Sequence, residues 1–277
     1  MSGAVASPPA TVPAPVPAIP RIGVARTLDA MFFLLREKFW VVYGIAAVVQ
    51  VPFFFYNLMM RELQVAMMDG ASPLFMRTEL IAVLGLGLVA FMVAWIAIWP
   101  IGVMAATSAL VKGYVGEDAS VGAAFKDVIR LFGPAIGLML AVGMLVGFGS
   151  LMCLAPGIYL MIRFYVAFPV LVVERCGVTN AMKRSGDLVA GNYWRILLVI
   201  LSANIVKVAL IYAITFTGTA AFTGGGILDV SLYALTQYVG QLFVAPIDMV
   251  LAVVVYFELR EAREGPGFEI ATQGTAA

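Results

Sequence analysis

The sequence predicts an all-α integral membrane protein with six transmembrane helices. Six stretches are apolar over roughly the 20 residues that a helix needs to cross a bilayer. They are residues 39–58, 80–108, 132–154, 156–174, 195–217 and 231–257. The chain is 62% hydrophobic and 12% charged, whereas a soluble domain is about 25% charged. Segment length and composition together favour a membrane-embedded helical bundle.

The positions of Lys and Arg indicate how this bundle is oriented. Of 17 such residues, 13 lie before span one, in the segments 112–131 and 174–195, or after span six. The alternate loops 59–79, 153–157 and 217–229 contain two, none and none. Because basic loops remain in the cytoplasm, we expect both termini and both basic segments on the cytoplasmic side.

The chain divides into a membrane domain and two tails. Residues 1–25 are rich in Ala and Pro and have little to bury, which predicts a disordered cytoplasmic tail. They also lack the apolar core of a signal peptide. Residues 26–262 are expected to form the six-span domain, and residues 263–277 a flexible cytoplasmic tail.

Short amphipathic segments precede spans one, three and five, and we expect each to form an interfacial helix. They are residues 27–39, 120–132 and 179–192. Ser120 and Thr179 are candidate N-caps, because their hydroxyls can accept a hydrogen bond from a first-turn backbone N–H. One interpretation is three repeats of a unit with an interfacial helix and two spans. The other is that amphipathic stubs commonly precede membrane helices, and the unequal spacing leaves both open.

Proline and glycine residues inside the spans predict kinks and close helix contacts. Proline removes a backbone hydrogen bond and kinks a helix, and four spans contain one. They are Pro52, Pro100, Pro169 and Pro246. Span three carries Gly133-xxx-Gly137 and Gly143-xxx-Gly147, a spacing that lets helix backbones approach closely. We expect this helix to pack within its own chain, with a homodimer contact as the less favoured alternative.

Three charged residues lie well inside the spans, where each costs about 2.5–3.5 kcal/mol at the bilayer centre. Arg163 and Asp248 form the favoured pair, because a guanidinium matches a carboxylate with two hydrogen bonds. Lys207 follows Asn204 on span five and is expected to extend toward the outer interface. Alternatively, Arg163 and Lys207 line a cavity that receives an anionic group such as a lipid phosphate.

Several chemistries lack the residues they require. The chain has no His, the commonest general base and metal ligand. Cys153 and Cys176 lie at opposite faces on this topology and can share neither a disulfide nor a metal. Phosphate-binding loops and acidic metal motifs are missing, and a net charge of +1 gives no indication of nucleic-acid binding. We therefore expect no cofactor, no metal, no nucleic-acid partner and no enzymatic activity.

Two segments carry a family resemblance. The first contains Pro156, Arg163, Phe168–Pro169, Glu174, Ala181, Lys183–Arg184–Ser185, Leu188–Val189, Gly191 and Tyr193–Trp194–Arg195. The second contains Tyr256–Phe257–Glu258–Leu259–Arg260, Arg263–Glu264–Gly265 and Phe268–Glu269. Together they resemble the glycerophosphoryl diester phosphodiesterase membrane-domain family and, more loosely, uncharacterised bacterial inner-membrane proteins of the YciC type. The resemblance covers most of residues 26–270.

The resemblance implies a hydrophobic inner-membrane module without hydrolase activity. It marks six residues at span ends: Glu174, Lys183, Arg184, Trp194, Glu258 and Arg260. The chain departs from the family pattern at Glu258, where the family usually has Asp.

We expect a non-catalytic multi-pass protein that binds or organises membrane lipid or a membrane-protein partner. The alternative is a small transporter or lipid-translocating protein, which would use kinked helices and buried charges near the midplane. A water-filled cavity at the buried charges would favour transport, and paired charges would favour the first function.

Overall fold

The computed structural model describes residues 23–68, 78–115, 120–221 and 227–265, and these are helical with no strand among them. The helices are α1 (Val24–Glu37), α2 (Phe39–Val49), α3 (Val51–Met68), α4 (Thr78–Val115), α5 (Val121–Val128), α6 (Phe132–Met152), α7 (Leu154–Arg163), α8 (Ala167–Val173), α9 (Val178–Val189), α10 (Tyr193–Ala221) and α11 (Ile227–Glu264). A short 3₁₀ turn, Ile129–Leu131, joins α5 to α6. Nearly all of both predicted tails lies outside the described residues.

Five helical segments of the described chain are long and apolar enough to cross a membrane, or six if one bent pair of helices counts as a span, which confirms the predicted all-α membrane fold class. Five are Gly85–Gly113, Val121–Met152, Leu154–Val173, Tyr193–Ala221 and Leu228–Glu264. The sixth is the pair α2 and α3, which bends by 48° at its break. The spans correspond one to one with the six apolar stretches of the sequence.

The last helix, α11, is the centre of the bundle. It has 38 residues, about 57 Å at 1.5 Å per residue, which exceeds the roughly 30 Å hydrocarbon core of a bilayer. Residues 244–259 are buried at every position except Asp248. Its neighbours include α1, α2, α3 and α10, and the buried half is therefore surrounded by helices from both ends of the chain.

Pairwise contacts fix the direction of the helices around α11. Thr27 of α1 meets Glu258, Ala47 of α2 accepts a hydrogen bond from Tyr238, and Arg61 of α3 lies over the Tyr233 ring. As the residue number rises along α1 to α3, the number of the contacting residue on α11 falls. Helices α1 to α3 therefore run antiparallel to α11. Helix α10 does so too, because it contacts α11 at 207 with 248 and at 214 with 240.

The three amphipathic segments fold as α1, α5 and α9, which confirms their helical character. Ser120 caps α5 as predicted, because its hydroxyl oxygen accepts a hydrogen bond from Ala123 N at 3.2 Å. The predicted Thr179 cap is wrong, because α9 already begins at Val178, after the extended backbone of Gly177. On α1 the apolar stripe divides between two environments: Met31 and Leu35 are buried in the protein, whereas Phe32 is exposed.

The four prolines act in two ways. Pro52 and Pro169 are the second and third residues of α3 and α8, where first-turn N–H groups have no helical partner and a missing N–H is tolerated. The chain breaks just before each helix, at Gln50 and at residues 164–166. Pro100 and Pro246 instead lie inside α4 and α11, which continue past them. Span four is therefore two helices, a break that the sequence analysis did not locate.

Helices α6 and α7 form a hairpin, but not through the predicted glycines. Gly133, Gly143 and Gly147 have open space where a side chain would project, among the residues that the structure describes. Gly137 only touches Val178 of α9. The close contact between the two helices lies nearer the hairpin tip. There Gly149 packs against Leu160 and Gly157, and Gly157 packs against Ser150.

Candidate functional site

An ion pair joins α10 to α11 near the middle of both helices. Lys207 Nζ donates to both carboxylate oxygens of Asp248, each at 2.7 Å. The Lys207 side chain is 15% exposed and that of Asp248 is 38% exposed. Asp248 is the one incompletely buried position in the run 244–259. The Lys207–Asp248 pair thus neutralises two charges at a site where neither has bulk water as its main partner.

This contact corrects the predicted pairing of Asp248 with Arg163. Both oxygens of the carboxylate are occupied by Lys207, and Arg163 donates to Tyr159 Oη instead, at 3.3 Å. Asn204, the other predicted member of the polar site, turns back on its own helix and donates to the Ile200 carbonyl at 2.8 Å. The sequence analysis therefore matched the wrong cation to the Asp248 carboxylate.

Arg163 belongs to a separate group, the Arg163 cluster, formed by Tyr159, Arg163 and Tyr193. The two tyrosine rings stack with centroids 5.1 Å apart, and their hydroxyls lie 3.3 Å from each other. Arg163 has no carboxylate within salt-bridge distance among the described residues. The exposed Asp187 of the neighbouring helix α9 makes no ion pair with it in that part of the chain. The cluster is therefore cationic and ringed by hydroxyl groups.

Two residues of α9 hold Arg163 in place. Ser185 Oγ donates to the Arg163 carbonyl at 2.9 Å, which satisfies one of the orphan carbonyls at the end of α7. A Cβ on Gly186 would lie 3.0 Å from Arg163 Nε, so the absent side chain leaves room for the guanidinium against the α9 backbone. Gly186 weakens α9 as a helix, and this contact supplies a packing reason for it.

The Arg163 cluster and the Lys207–Asp248 pair lie at different levels of the bundle. Tyr193 is the first residue of α10, and Lys207 lies about 21 Å further along that helix at 1.5 Å per residue. Arg163 is therefore beside the end of α10, not beside its middle. This separation is the physical reason why Lys207, and not Arg163, is the partner of Asp248.

A third group, the Arg184 network, joins α9 to the ends of α8 and α11. Its members are Glu174, Arg184, Tyr256, Arg260 and Glu264. Arg184 Nε donates to Glu174 at 3.1 Å, and its terminal nitrogen donates to Glu264. Arg260 donates to Glu264 at 2.7 Å and to the Tyr256 hydroxyl at 3.1 Å. That hydroxyl in turn reaches Glu174 at 3.4 Å, which closes a ring of five side chains.

The electrostatics of the network keep Arg184 charged. Burial alone lowers the pKa of its guanidinium, but hydrogen bonds and charges from Glu174 and Glu264 outweigh burial and raise that pKa. Arg184 therefore bridges two helix ends as a permanent cation. Near the network, burial raises the pKa of the Cys176 thiol and the charge of Glu174 adds to this effect.

The remaining motif residues separate into two kinds. Glu258 is buried and accepts the Thr27 hydroxyl at 2.8 and 2.9 Å, which ties α11 to α1. Lys183 and Trp194 are exposed, and Trp194 leaves 78% of its surface uncovered. Of the six predicted span-end residues, Glu174, Arg184 and Arg260 come together in one network, while Glu258, Lys183 and Trp194 stand apart.

Sequence reasoning quoted Tyr193, Tyr256 and Glu264 only as parts of a family motif and did not single out Tyr159 or Thr27. The spacing of four residues offered a usable signal, because Tyr159 with Arg163 and Arg260 with Glu264 fall on one helix face. Thr27 offered none, since its partner is 231 residues away.

The described residues contain no group of three or more His, Cys, Asp or Glu side chains placed to hold a metal ion. No family model matches the chain, and no curated protein or solved structure matches it either. The fold is that of an α-helical multi-pass membrane protein, and its Lys207 and Asp248 side chains neutralise each other. The phosphodiesterase membrane-domain resemblance stays a prediction.

Proposed function

We propose that this protein is a non-catalytic multi-pass membrane module that binds membrane lipid and holds it, or a membrane-protein partner, at a rigid helical surface. The observation that carries the proposal is the Lys207–Asp248 pair. A catalytic or transporting carboxylate must be able to exchange its partner, whereas both oxygens of Asp248 are engaged by one ammonium group at 2.7 Å. A closed contact of this kind is typical of structural packing between helices.

The Arg184 network supports the same function. It ties three helix ends together through charge-assisted hydrogen bonds, which are about twice as strong as neutral ones. A transporter that rocks one half of its helices against the other would have to break this ring in each cycle. A fixed scaffold would not.

A small transporter is the second candidate, and one observation favours it. The Asp248 side chain is 38% exposed in a run that is otherwise buried, and carboxylates near the midplane serve as ion sites in transporters. In that case the Lys207–Asp248 pair would open during the transport cycle.

Carbodiimide labelling separates the two functions. Dicyclohexylcarbodiimide is an apolar reagent that modifies protonated carboxyl groups within a membrane. We expect Asp248 to stay unmodified in proteoliposomes of the unaltered chain, because Lys207 Nζ donates to both of its oxygens, and to be modified in Lys207→Gln. Peptide mass spectrometry reads out both. Labelling of Asp248 in the unaltered chain would contradict the scaffold and favour transport.

We further propose an inner-membrane location with both termini in the cytoplasm, supported by the 13 basic residues on the termini and two alternate segments. A reporter that fluoresces only in the cytoplasm should give signal when fused to the C-terminus. A dark fusion, with a periplasmic reporter active at the same position, would reverse the orientation.

A further inference from the structure

We propose that the Arg163 cluster binds the phosphate of an anionic phospholipid headgroup. The inference deepens the proposed function, on which it rests, by assigning lipid binding to three named side chains. It starts from the charge of the cluster. Within the described chain Arg163 meets only hydroxyl partners: Tyr159 Oη lies 3.3 Å from its guanidinium, and Tyr193 Oη lies 3.3 Å beyond.

The donor geometry suits a phosphate. A guanidinium presents several N–H donors in a planar fork that matches phosphate oxygens, often with two hydrogen bonds. The contact with Tyr159 engages one terminal nitrogen, Nη1. One tyrosine O–H is used in the hydrogen bond between the two hydroxyls, which leaves the other O–H to donate to a phosphate oxygen. Gly186 leaves room for the guanidinium beside α9, because a Cβ there would lie 3.0 Å from Arg163 Nε and 3.4 Å from Nη2.

The helix end beside the cluster adds positive potential. Tyr193 begins α10, a helix of 29 residues with no acidic side chain in its first turn. The N-terminus of a helix carries a partial positive charge and free N–H groups, which favour anions. Arg195 is exposed in the same turn. The exposed Asp187 is the nearest opposing charge along α9, and it leaves the group with a net positive charge.

The exposure of the cluster favours a lipid over a free anion. Tyr159 is 43% exposed and Trp194 is 78% exposed. Beyond them, α10 presents an apolar outer face. Its exposed residues include Leu198, Leu201, Ile205, Tyr212 and Phe216. Tyr and Trp concentrate at the headgroup level of a bilayer, so a phosphate at Arg163 would place its acyl chains along this face.

Native mass spectrometry from nanodiscs tests the site. The full chain is reconstituted in phosphatidylcholine with a minor fraction of phosphatidylglycerol, and the retained lipids are counted. We expect the unaltered chain to retain phosphatidylglycerol and Arg163→Gln to retain roughly tenfold less, the factor expected for one charge-assisted hydrogen bond. The matched control is Arg130→Gln, an exposed arginine outside the cluster, which should retain as much as the unaltered chain.

A second variant guards against misfolding of Arg163→Gln. Tyr159→Phe with Tyr193→Phe keeps the charge and both rings, and should lower retention by a smaller factor than Arg163→Gln. Equal retention of phosphatidylglycerol by all variants would overturn the assignment. If inorganic phosphate displaces the lipid at the concentration at which phosphate binds by itself, the ligand of the cluster is a free anion and not a lipid headgroup. If even the unaltered chain retains no lipid, the proposed function fails rather than the site alone.

Discussion

Lys207 and Arg163 are both cations in apolar helices, yet the bundle treats them differently. Lys207 is mostly buried and meets a carboxylate with two contacts of 2.7 Å. Arg163, the last residue of α7, lies beside the first turn of α10 and meets tyrosine hydroxyl groups. In this bundle the cation in the middle of α10 has a carboxylate partner, whereas the cation beside the first turn of α10 has a hydroxyl partner, and this difference underlies the proposed lipid site.

Breaking the deep pair should have the largest effect. Asp248→Asn leaves the Lys207 ammonium among apolar neighbours, and we expect the free energy of unfolding to fall by about 3 kcal/mol, the lower part of the range for a buried pair. Lys207→Gln with Asp248→Asn should recover at least half of the loss. Denaturant titration in mixed micelles, followed by circular dichroism, measures both.

A control distinguishes the two cations. Arg163→Gln combined with Asp248→Asn should give strictly additive losses, because these side chains do not meet. Non-additivity of Arg163 with Asp248, together with additivity of Lys207 with Asp248, would reverse the assignment made here.

The Arg184 network should give an intermediate effect. Arg184→Gln removes bonds to Glu174 and Glu264, while Arg260 still holds Glu264. We expect a loss of about 1–2 kcal/mol in the free energy of unfolding, since these side chains are partly exposed. The control is Lys183→Gln, one residue earlier and exposed, which should change little. An equal loss in both variants would mean that the Arg184 network makes no specific contribution to the free energy of unfolding.

Gly186 should give the smallest effect and the sharpest test of the Arg163 cluster. Alanine in place of a helical glycine usually stabilises by up to about 1 kcal/mol. Gly186→Ala should not stabilise, because its Cβ would lie 3.0 Å from Arg163 Nε. The stabilisation should return when Arg163→Ala is added.

Gly122→Ala in α5 is the matched control, since a Cβ there meets nothing within 4 Å among the described residues. It should stabilise the chain with Arg163 present. Stabilisation by Gly186→Ala in the unaltered background would show that the guanidinium does not pack on α9.

The sequence alone predicted the features of the fold that depend on local residue pattern. Apolar length predicted the six spans, and amphipathic spacing predicted α1, α5 and α9. The Ser120 cap also followed from local chemistry, because its partner Ala123 is three residues away.

Contacts between distant segments were out of reach of the same reasoning. A buried carboxylate among two cations has two possible partners, and only the level at which each helix meets α11 selects Lys207. The glycines behave likewise. Gly149 and Gly157 lie outside a regular four-residue pattern, yet they form the close contact because the hairpin tip brings them together. The residues of the Arg184 network were quoted from a motif, but their mutual contacts required the fold.

The central position of α11 has a consequence for how the protein is made. Helix α11 leaves the ribosome after the helices that surround it, and Thr27 has no partner until Glu258, 231 residues further on, has been synthesised. At about 5–20 residues per second, this interval is on the order of 10–50 s. The interval is shorter for Lys207, because its partner Asp248 follows 41 residues later in the chain. Until then the nascent bundle has an ammonium group in an apolar helix and no central helix. A chain that stops before Asp248 would keep the Lys207 ammonium without its carboxylate partner and would lack the buried half of the central helix.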